Sequence, residues 1–504
     1  NIESSGILLM ESQDVSIDNC HFVNTGEIKI VNSGQQGSFI FTNNAVRYNH
    51  QSLINAKSMG SKPTIKNNVF ENCDLDDSTY FISYEHFLFE GCIFSNCRTN
   101  NEYGGGSGSR LIPLNKVTFN ECTWKNNYCT RNGGAFQYGA ELATNNKIIE
   151  FQGCNFTINR TPESGGAISI QTHNNINIKD CHFNKNTAGE KSTQTHNLQS
   201  DEQNQGYGGS VYINPQITTD ISAAPVCTIT GTDFVENQAN DGHAIFIVDS
   251  QHTTLSIHDN VFTDNGQTGS TIVTDQIIDI DDSTFSLTQA YNKRSNLVQY
   301  AKIPAIYEHM HFYQQIEIFE EQIEARFYNC TFYDCEFDQS ETSGHQYVIT
   351  LHCNQFTFEN STIEFKDSEQ ACGGICIDCY CNITIINSYF CRCNVKEMDQ
   401  SAGIYYKPTT GNDSDEKFKM NFNTFSEMAG VDFRCFYITT SINNADFSNN
   451  IIQDSPEGCH TGYFCYYNSD ICEFNSWQFL RNKVKQMTYV NSIVGNFYVT
   501  SYNN

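Results

Sequence analysis

Charge is scarce in this chain, and positive charge scarcest. Only 17% of the 504 residues are charged, with 29 Lys and Arg against 57 Asp and Glu, for a formal net charge of -28. Proteins hold a phosphate backbone by neutralising it with Lys and Arg, so this balance argues against a nucleic-acid partner. It disfavours an anionic membrane surface for the same reason. Cationic partners, Ca2+ and neutral glycans stay open. No run of 18 apolar residues occurs, so no segment is long enough to cross a bilayer as a helix. Helix-favouring residues are thin while Asn, Thr, Ser, Ile, Phe and Tyr abound, which excludes a coiled coil or a helical solenoid. The chain begins at Asn1 with no Met and no basic-then-apolar leader. A secreted reading therefore expects a processed chain or a fragment, with any membrane anchor outside it.

What the chain does have is a repeat. An apolar strand, a short polar turn often holding Cys, and an aromatic followed three residues later by Asn or Cys recur throughout. Copies include Cys20-His-Phe22, Phe70-Glu-Asn72-Cys73, Cys92-Ile-Phe94-Ser-Asn96-Cys97, Cys122-Thr-Trp124, Cys154-Asn-Phe156-Thr-Ile-Asn159 and Cys181-His-Phe183. Later ones begin at Phe234, Phe262, Phe332 and Phe479. Many neighbouring anchors lie 23 to 32 residues apart. The intervals Phe22–Phe70, Phe183–Phe234, Phe285–Phe332, Phe332–Phe390 and Phe425–Phe479 are near twice that, as if a copy had decayed or a loop intervened.

A second phrase sits between the anchors: Gly133-Gly134-Ala135, Gly165-Gly166-Ala167, Gly208-Gly209-Ser210, Gly242-His243-Ala244, Gly373-Gly374-Ile375 and Gly403-Ile404-Tyr405. Glycine allows the sharp corner and close backbone approach that lead into a strand. About three short strands per period, with no helix-length periodicity between them, predict an all-β chain. The fold that buries every apolar phrase is a right-handed parallel β-helix, a solenoid with inserted loops, whose coils stack ~4.8 Å apart. One such domain is expected over 1–504. It carries a polar loop insertion at about 187–205, a repeat-poor stretch at about 286–326 and Cys-rich coils at about 372–393.

The paired glycine and Phe-x-x-Asn phrases resemble the polymorphic membrane protein repeats of chlamydial surface autotransporters. With this Cys and Asn content they are still more similar to trichomonad surface proteins of the same kind. The resemblance covers roughly residues 18–482 and is clearest at Gly133–Ala135, Gly165–Ala167, Phe22, Phe70, Phe94, Phe156, Phe183, Phe234 and Phe262. It implies a right-handed β-helix at a cell surface with adhesive or immunogenic roles. The chain departs from that family in lacking an outer-membrane barrel and in its wealth of Cys.

The 22 cysteines fit a secreted protein with disulfides better than an intracellular enzyme. Cys92, Cys122, Cys154 and Cys181 each stand two before an aromatic, and Cys73 and Cys97 three after one. Stacked coils would bring such neighbours to ~5 Å, within the Cα range of a disulfide, and Cys73 with Cys97 is the preferred pair. The alternative is a ladder of buried thiols serving as small apolar residues. Cys372, Cys376, Cys379, Cys381, Cys391 and Cys393 form the densest cluster. Four thiolates can hold zinc, but only Cys376 to Cys379 has the paired spacing, so disulfides are expected and no metal or cofactor. N-glycosylation sequons stand at Asn155, Asn159, Asn329, Asn360, Asn382 and Asn412.

Many β-helices cleave polysaccharides, which needs two carboxylates across a groove. Asp279 and Asp281 share a strand face beside Asp282, and His243 lies in Gly-His-Ala where a polygalacturonase-like site would have Gly-His-Gly. The accompanying Asn-Thr-Asp and Arg-Ile-Lys phrases are absent, so Asp279 and Asp281 read as solvated acids on an outer face, with no catalytic residue assigned. His21 and His182 share a Cys-His-Phe slot and read as surface positions. The sequence thus predicts a non-enzymatic, extracellular or cell-surface rod, adhesin-like or structural, that binds surface glycan or protein or associates with itself. The alternatives are a secreted carbohydrate-active enzyme on the same scaffold and an architectural element that polymerises end to end.

Overall fold

The computed structural model describes residues 7–9, 14–24, 28–31, 39–48, 54–59, 63–75, 79–83, 86–99, 109–112, 116–139, 148–171, 175–189, 206–214, 226–240, 242–247, 254–265, 269–274, 278–286, 295–299, 305–314, 316–318, 324–336, 347–366, 373–395, 402–410, 417–430, 436–438, 444–453, 463–464, 471–475 and 478–480. All the regular structure among them is strand, and the strands pair in parallel. The chain is an all-β, right-handed parallel β-helix with inserted loops. It divides into two compact units, Asn1–Ile278 and Asp279–Asn504.

In the first unit, each coil contributes one strand to a first sheet, as in His86–Glu90, Lys116–Asn120, Ile148–Gln152 and Asn175–Lys179. A corner residue at positive φ then turns the chain into a three-residue strand of a second sheet, as in Ile93–Ser95, Thr123–Lys125, Asn155–Thr157 and His182–Asn184. Nine described strands build each of these two sheets in this unit. A second positive-φ corner follows, then the glycine phrase, then a third sheet in coils such as Phe136–Gly139 and Ile168–Gln171.

Alternation along each strand sends every second side chain inward. The register is strict: Phe70, Phe94, Trp124, Phe156, Phe183, Phe234 and Phe262 face one another in turn. Their rings stack face to face with centroids 4.6–5.3 Å apart. A second column from the first sheet, Phe89–Phe119–Phe151, meets it edge-on: Phe119 lies 5.2 Å from Trp124 at 72°. Stacking along the axis and edge contacts across it are both favourable aromatic geometries.

Four long intervals between anchors hold a coil whose anchor is not the expected phrase. Val46 sits between Phe22 and Phe70 in register, and Phe312 between Phe285 and Phe332. Ile363 and Ile452 fill the other two positions. The interval Phe183–Phe234 differs, because these two residues are direct neighbours and the extra chain is an insertion. Of the polar loop, Thr187–Ala188 is strand, while residues 190–205 lie outside the described residues. The repeat-poor stretch includes ladder strands at Ala305–Glu308 and His311–Gln314.

The glycine phrase is a backbone-against-backbone contact. A Cβ on Gly134 would lie 2.1 Å from the Gly166 carbonyl oxygen, and one on Gly166 2.1 Å from that of Gly209. At Gly134 and Gly166 the next coil comes too close for any side chain.

Candidate functional site

Many of the cysteines and asparagines flagged by the sequence lie at the two corners of the coils, and one rule explains both. At the second corner, the Asn159 Nδ2 donates to the Trp124 carbonyl of the preceding coil at 3.1 Å and to Asn186 Oδ1 at 3.0 Å. Its Oδ1 accepts from the backbone N and from Nδ2 of Asn127. Asn127, Asn186, Asn237 and Asn265 continue this fully buried amide ladder. Cys73 and Cys97 occupy the same corner in earlier coils. Their Sγ atoms lie 3.8 and 3.6 Å from the Val46 and Phe70 carbonyl oxygens, where the amides put a nitrogen.

The first corner follows the same rule with a different mixture. Cys92, Cys154 and Cys181 direct Sγ at the carbonyls of Ile65, Phe119 and Phe151. Asn44, Asn68 and Asn260 direct Nδ2 at the equivalent carbonyls of Ile17, Phe41 and Ile229. In the second unit Cys330, Ser361, Ser388, Asn423 and Asn450 share that position. The slot therefore asks for a short side chain with a hydrogen-bond donor, because a buried carbonyl left bare is costly. Thiol, hydroxyl and carboxamide all meet that need.

This placement corrects the disulfides expected between ladder cysteines. The described cysteines, among them Cys73, Cys92, Cys97, Cys122, Cys154, Cys181, Cys376, Cys379, Cys381, Cys391 and Cys393, are all thiols. The Cys73–Cys97 bond is not formed. Strict register between coils aligns the two Cα–Cβ bonds in parallel, which leaves the Cβ atoms about 4.8 Å apart, wider than a disulfide accepts. Burial pushes Cys154 well above the ordinary thiol range. It holds Cys227 and Cys330 up to about 12. Such thiols stay protonated at neutral pH, which suits donors and not nucleophiles.

The dense cluster does not converge. Cys376 lies in a third-sheet strand against Thr350 and Tyr405, and Cys391 in a second-sheet strand against Glu364 and Ser426. Cys379 and Cys381 flank another corner, and Cys372 lies outside the described residues. Among the described residues no three His, Cys, Asp or Glu side chains converge as a metal site.

Of the sequons, Asn155, Asn329, Asn360 and Asn382 are exposed, and Asn412 lies outside the described residues. Asn159 is different: its amide is sealed in the ladder, so the folded chain offers no nitrogen there for a glycan. His243 is buried, and its Nδ1 accepts from the Ala239 backbone N at 3.0 Å. It stands in the slot that Gly134, Gly166 and Gly209 fill in preceding coils, its carbonyl capping Gly209. Asp279 and Asp281 belong to the strand Ile278–Asp281, and their side chains lie outside the described residues. His21 is exposed, and His182 Nδ1 lies 3.7 Å from an Asp233 carboxylate oxygen.

The outward side chains form rows, one per sheet position, with neighbours on successive coils. Some pair by charge along the row: Arg47 with Glu71 at 3.0 Å, Lys66 with Glu90 at 2.7 Å and Lys185 with Glu236 at 3.3 Å. In the second unit Tyr313 and Tyr333 are exposed to 37% and 38% on neighbouring coils, edge to face at 6.4 Å. Across the adjacent corner His309 meets the Tyr328 ring edge-on, and the Arg326 guanidinium lies over that ring at 5.6 Å. Sequence reasoning named neither tyrosine. The signal was present, since each of Tyr313 and Tyr333 directly follows an inward anchor, Phe312 or Phe332.

A family model described as a right-handed β-helix region matches residues 1–146. Together with the stacked parallel coils, that match shows a β-helix repeat protein. No curated protein matches the chain. The repeat architecture accounts for the cysteines, asparagines and glycines at the corners as parts of the scaffold. Among the described residues, the outward rows are then the part of this β-helix that faces other molecules.

Proposed function

We propose that this β-helix is a non-enzymatic, extracellular surface protein of the polymorphic membrane protein kind, which presents rows of side chains to glycan or protein partners. The observation that carries the reading is the register of the outer faces. A parallel coil repeats each outward position at about 4.8 Å, so weak contacts to successive units of a chain-like ligand add up. The Tyr313–Tyr333 pair, beside Arg326, Tyr328 and His309, has the apolar-face and polar-edge character that suits a neutral sugar. The strongly acidic composition favours neutral or cationic partners over polyanions. A buried His243, engaged with the backbone, supports a scaffold role over a hydrolytic one.

The test uses the full chain in two assays. Binding to an array of neutral glycans is expected, weakened at least tenfold by Tyr313→Ala with Tyr333→Ala. Incubation with a panel of polysaccharides is expected to release neither reducing nor unsaturated ends. Steady release of either would replace this reading with the carbohydrate-active one. For the extracellular setting, intact mass of native material is expected to show sugar on Asn155, Asn329, Asn360 or Asn382 and none on Asn159. Unmodified asparagines at all four would overturn the surface reading.

A further inference from the structure

We propose that Cys353 and Cys381 are a covalent cross-linking site that joins two neighbouring coils of the second unit when the chain meets a disulfide oxidant. Both are buried, with their Sγ atoms 4.0 Å apart. They lie at the corner that leads from the third sheet into the first. Here the coils lose the register that keeps the other stacked cysteines parallel. Leu351 pairs with Ile377 before the corner and Gln355 with Asn382 after it, so three residues, 352–354, face four, 378–381. The additional residue staggers the two side chains and lets their sulfurs turn toward each other.

The difference from the ladder cysteines is one of register, since the side chains of Cys92, Cys122, Cys154 and Cys181 also touch along their stack. Cys92 and Cys154 direct their sulfurs at backbone carbonyls of the preceding coil, at 3.5 and 3.4 Å. They stand opposite residues an equal number of positions from both flanking ladder pairs. Cys353 and Cys381 are in sulfur-to-sulfur contact, and the carbonyl of Cys353 is served by the Cys379 thiol at 3.2 Å. Closing the bond gives up only a weak 3.5 Å contact from the Cys381 thiol to the Asn382 carbonyl, while the Cys353 carbonyl keeps its donor. The flanking bond from the Asn382 N to the Asn354 carbonyl, 2.9 Å, stays in place.

The chemistry balances with a small-molecule disulfide such as oxidised glutathione. One protein thiolate attacks it, forming a mixed disulfide and expelling one glutathione thiolate. The second protein thiolate then attacks the protein sulfur of that mixed disulfide and expels the other. The two cysteines lose two protons and two electrons, and oxidised glutathione becomes two glutathione thiols. Because both sulfurs are buried, the first step waits on opening of the corner. The reaction is accordingly slow and denaturant-sensitive.

The experiment uses the full chain held in a glutathione redox buffer, quenched with an alkylating agent under denaturing conditions and mapped by mass spectrometry. The expected result is a peptide pair joined through Cys353 and Cys381, lighter by two hydrogens than the separate peptides. Cys379→Ser should leave the joined pair intact. Cys353→Ser should leave Cys381 fully alkylated. Oxidation should raise the thermal midpoint of the wild-type chain, and a thiol reductant should reverse the rise. Full alkylation of both residues after oxidation would overturn the proposal, as would a link from either one to Cys379. The wild-type map decides the question even where a variant fails to fold.

Discussion

The coils from Cys122 to Asn186 carry thiols at one corner and carboxamides at the other, so the same stretch of chain compares two solutions to one problem. Each corner must supply a donor to a carbonyl of the preceding coil. At the thiol corner, Cys154 does this with one weak donor and no oxygen acceptor. At the amide corner, Asn159 gives two donor contacts and accepts two more, so each amide ties its coil to both neighbours. The amide ladder is a continuous run of strong hydrogen bonds, whereas the thiol stack is a row of weak donors whose sulfurs also neighbour one another. Breaking one amide should therefore cost more than breaking one thiol.

The comparison is most sharply broken at Asn159. Asn159→Leu strips a donor from the Trp124 carbonyl and the acceptor from Asn127, each fully buried. It should cost on the order of 4 kcal/mol or more in a urea unfolding experiment. Asn159→Cys keeps the donor and should cost about half as much. Equal losses for the two variants would show that the acceptor half of the amide is idle.

Alkali separates the corners next, because a thiol titrates and a carboxamide does not. Burial raises Cys330 from an ordinary value near 9 to about 12. The unfolded chain thus releases its proton first, so stability from this group is complete below pH 9 and drains away as pH rises toward 12. The loss is about 4 kcal/mol at most. Cys330→Ser puts at this corner the donor that Ser361 and Ser388 already supply in following coils. It should leave stability at pH 7 within about 1 kcal/mol and flatten the decline between pH 9 and 12, measured by unfolding under reductant. A decline as steep as in the parent chain would remove Cys330 from the account.

The smallest expected effect is a gain. The residue before each amide corner has positive φ, and Asn fills it at Asn72, Asn96 and Asn126. Ile158 has φ 57° at the same position, a conformation hard on a β-branched side chain, and it is 37% exposed. Ile158→Asn should raise the unfolding free energy by about 1 kcal/mol. An unchanged or lower midpoint would mean that its side chain contributes packing that outweighs the strain.

Much of this fold was legible because a β-helix writes its period into the chain. Every coil needs an inward aromatic and a corner, so the phrases recur and the aromatic column follows from them. What escaped were the coils whose inward residue changed type. Val46, Ile363 and Ile452 fill the anchor position with aliphatic volume, and Phe312 lacks an Asn or Cys three residues on. The corner rule was half visible, since Asn and Cys alternate openly after the aromatics. That Asn68 in Asn68-Val-Phe70 and Cys92 in Cys92-Ile-Phe94 do the same work needed the shared carbonyl partner to be seen. His243 misled for a like reason: a Gly-His-Ala phrase carries no mark that its neighbours in space are glycines.

Asn155 and Asn159 show where sequence stops and tertiary structure begins. Both are sequons in one coil, and the sequence alone treats them alike. It determined the composition, the repeat, the strand-and-corner rhythm and the stock of short hydrogen-bonding side chains, because each of these is a local property of residue type and spacing. It could not say which way each polar side chain faces. That is decided by the corner at Ile158, whose positive φ re-aims the chain so that Asn155 points to solvent and Asn159 into the stack. Only the coils above and below Asn159, with their carbonyl and amide partners, make its burial favourable, and those partners lie 27 to 35 residues away.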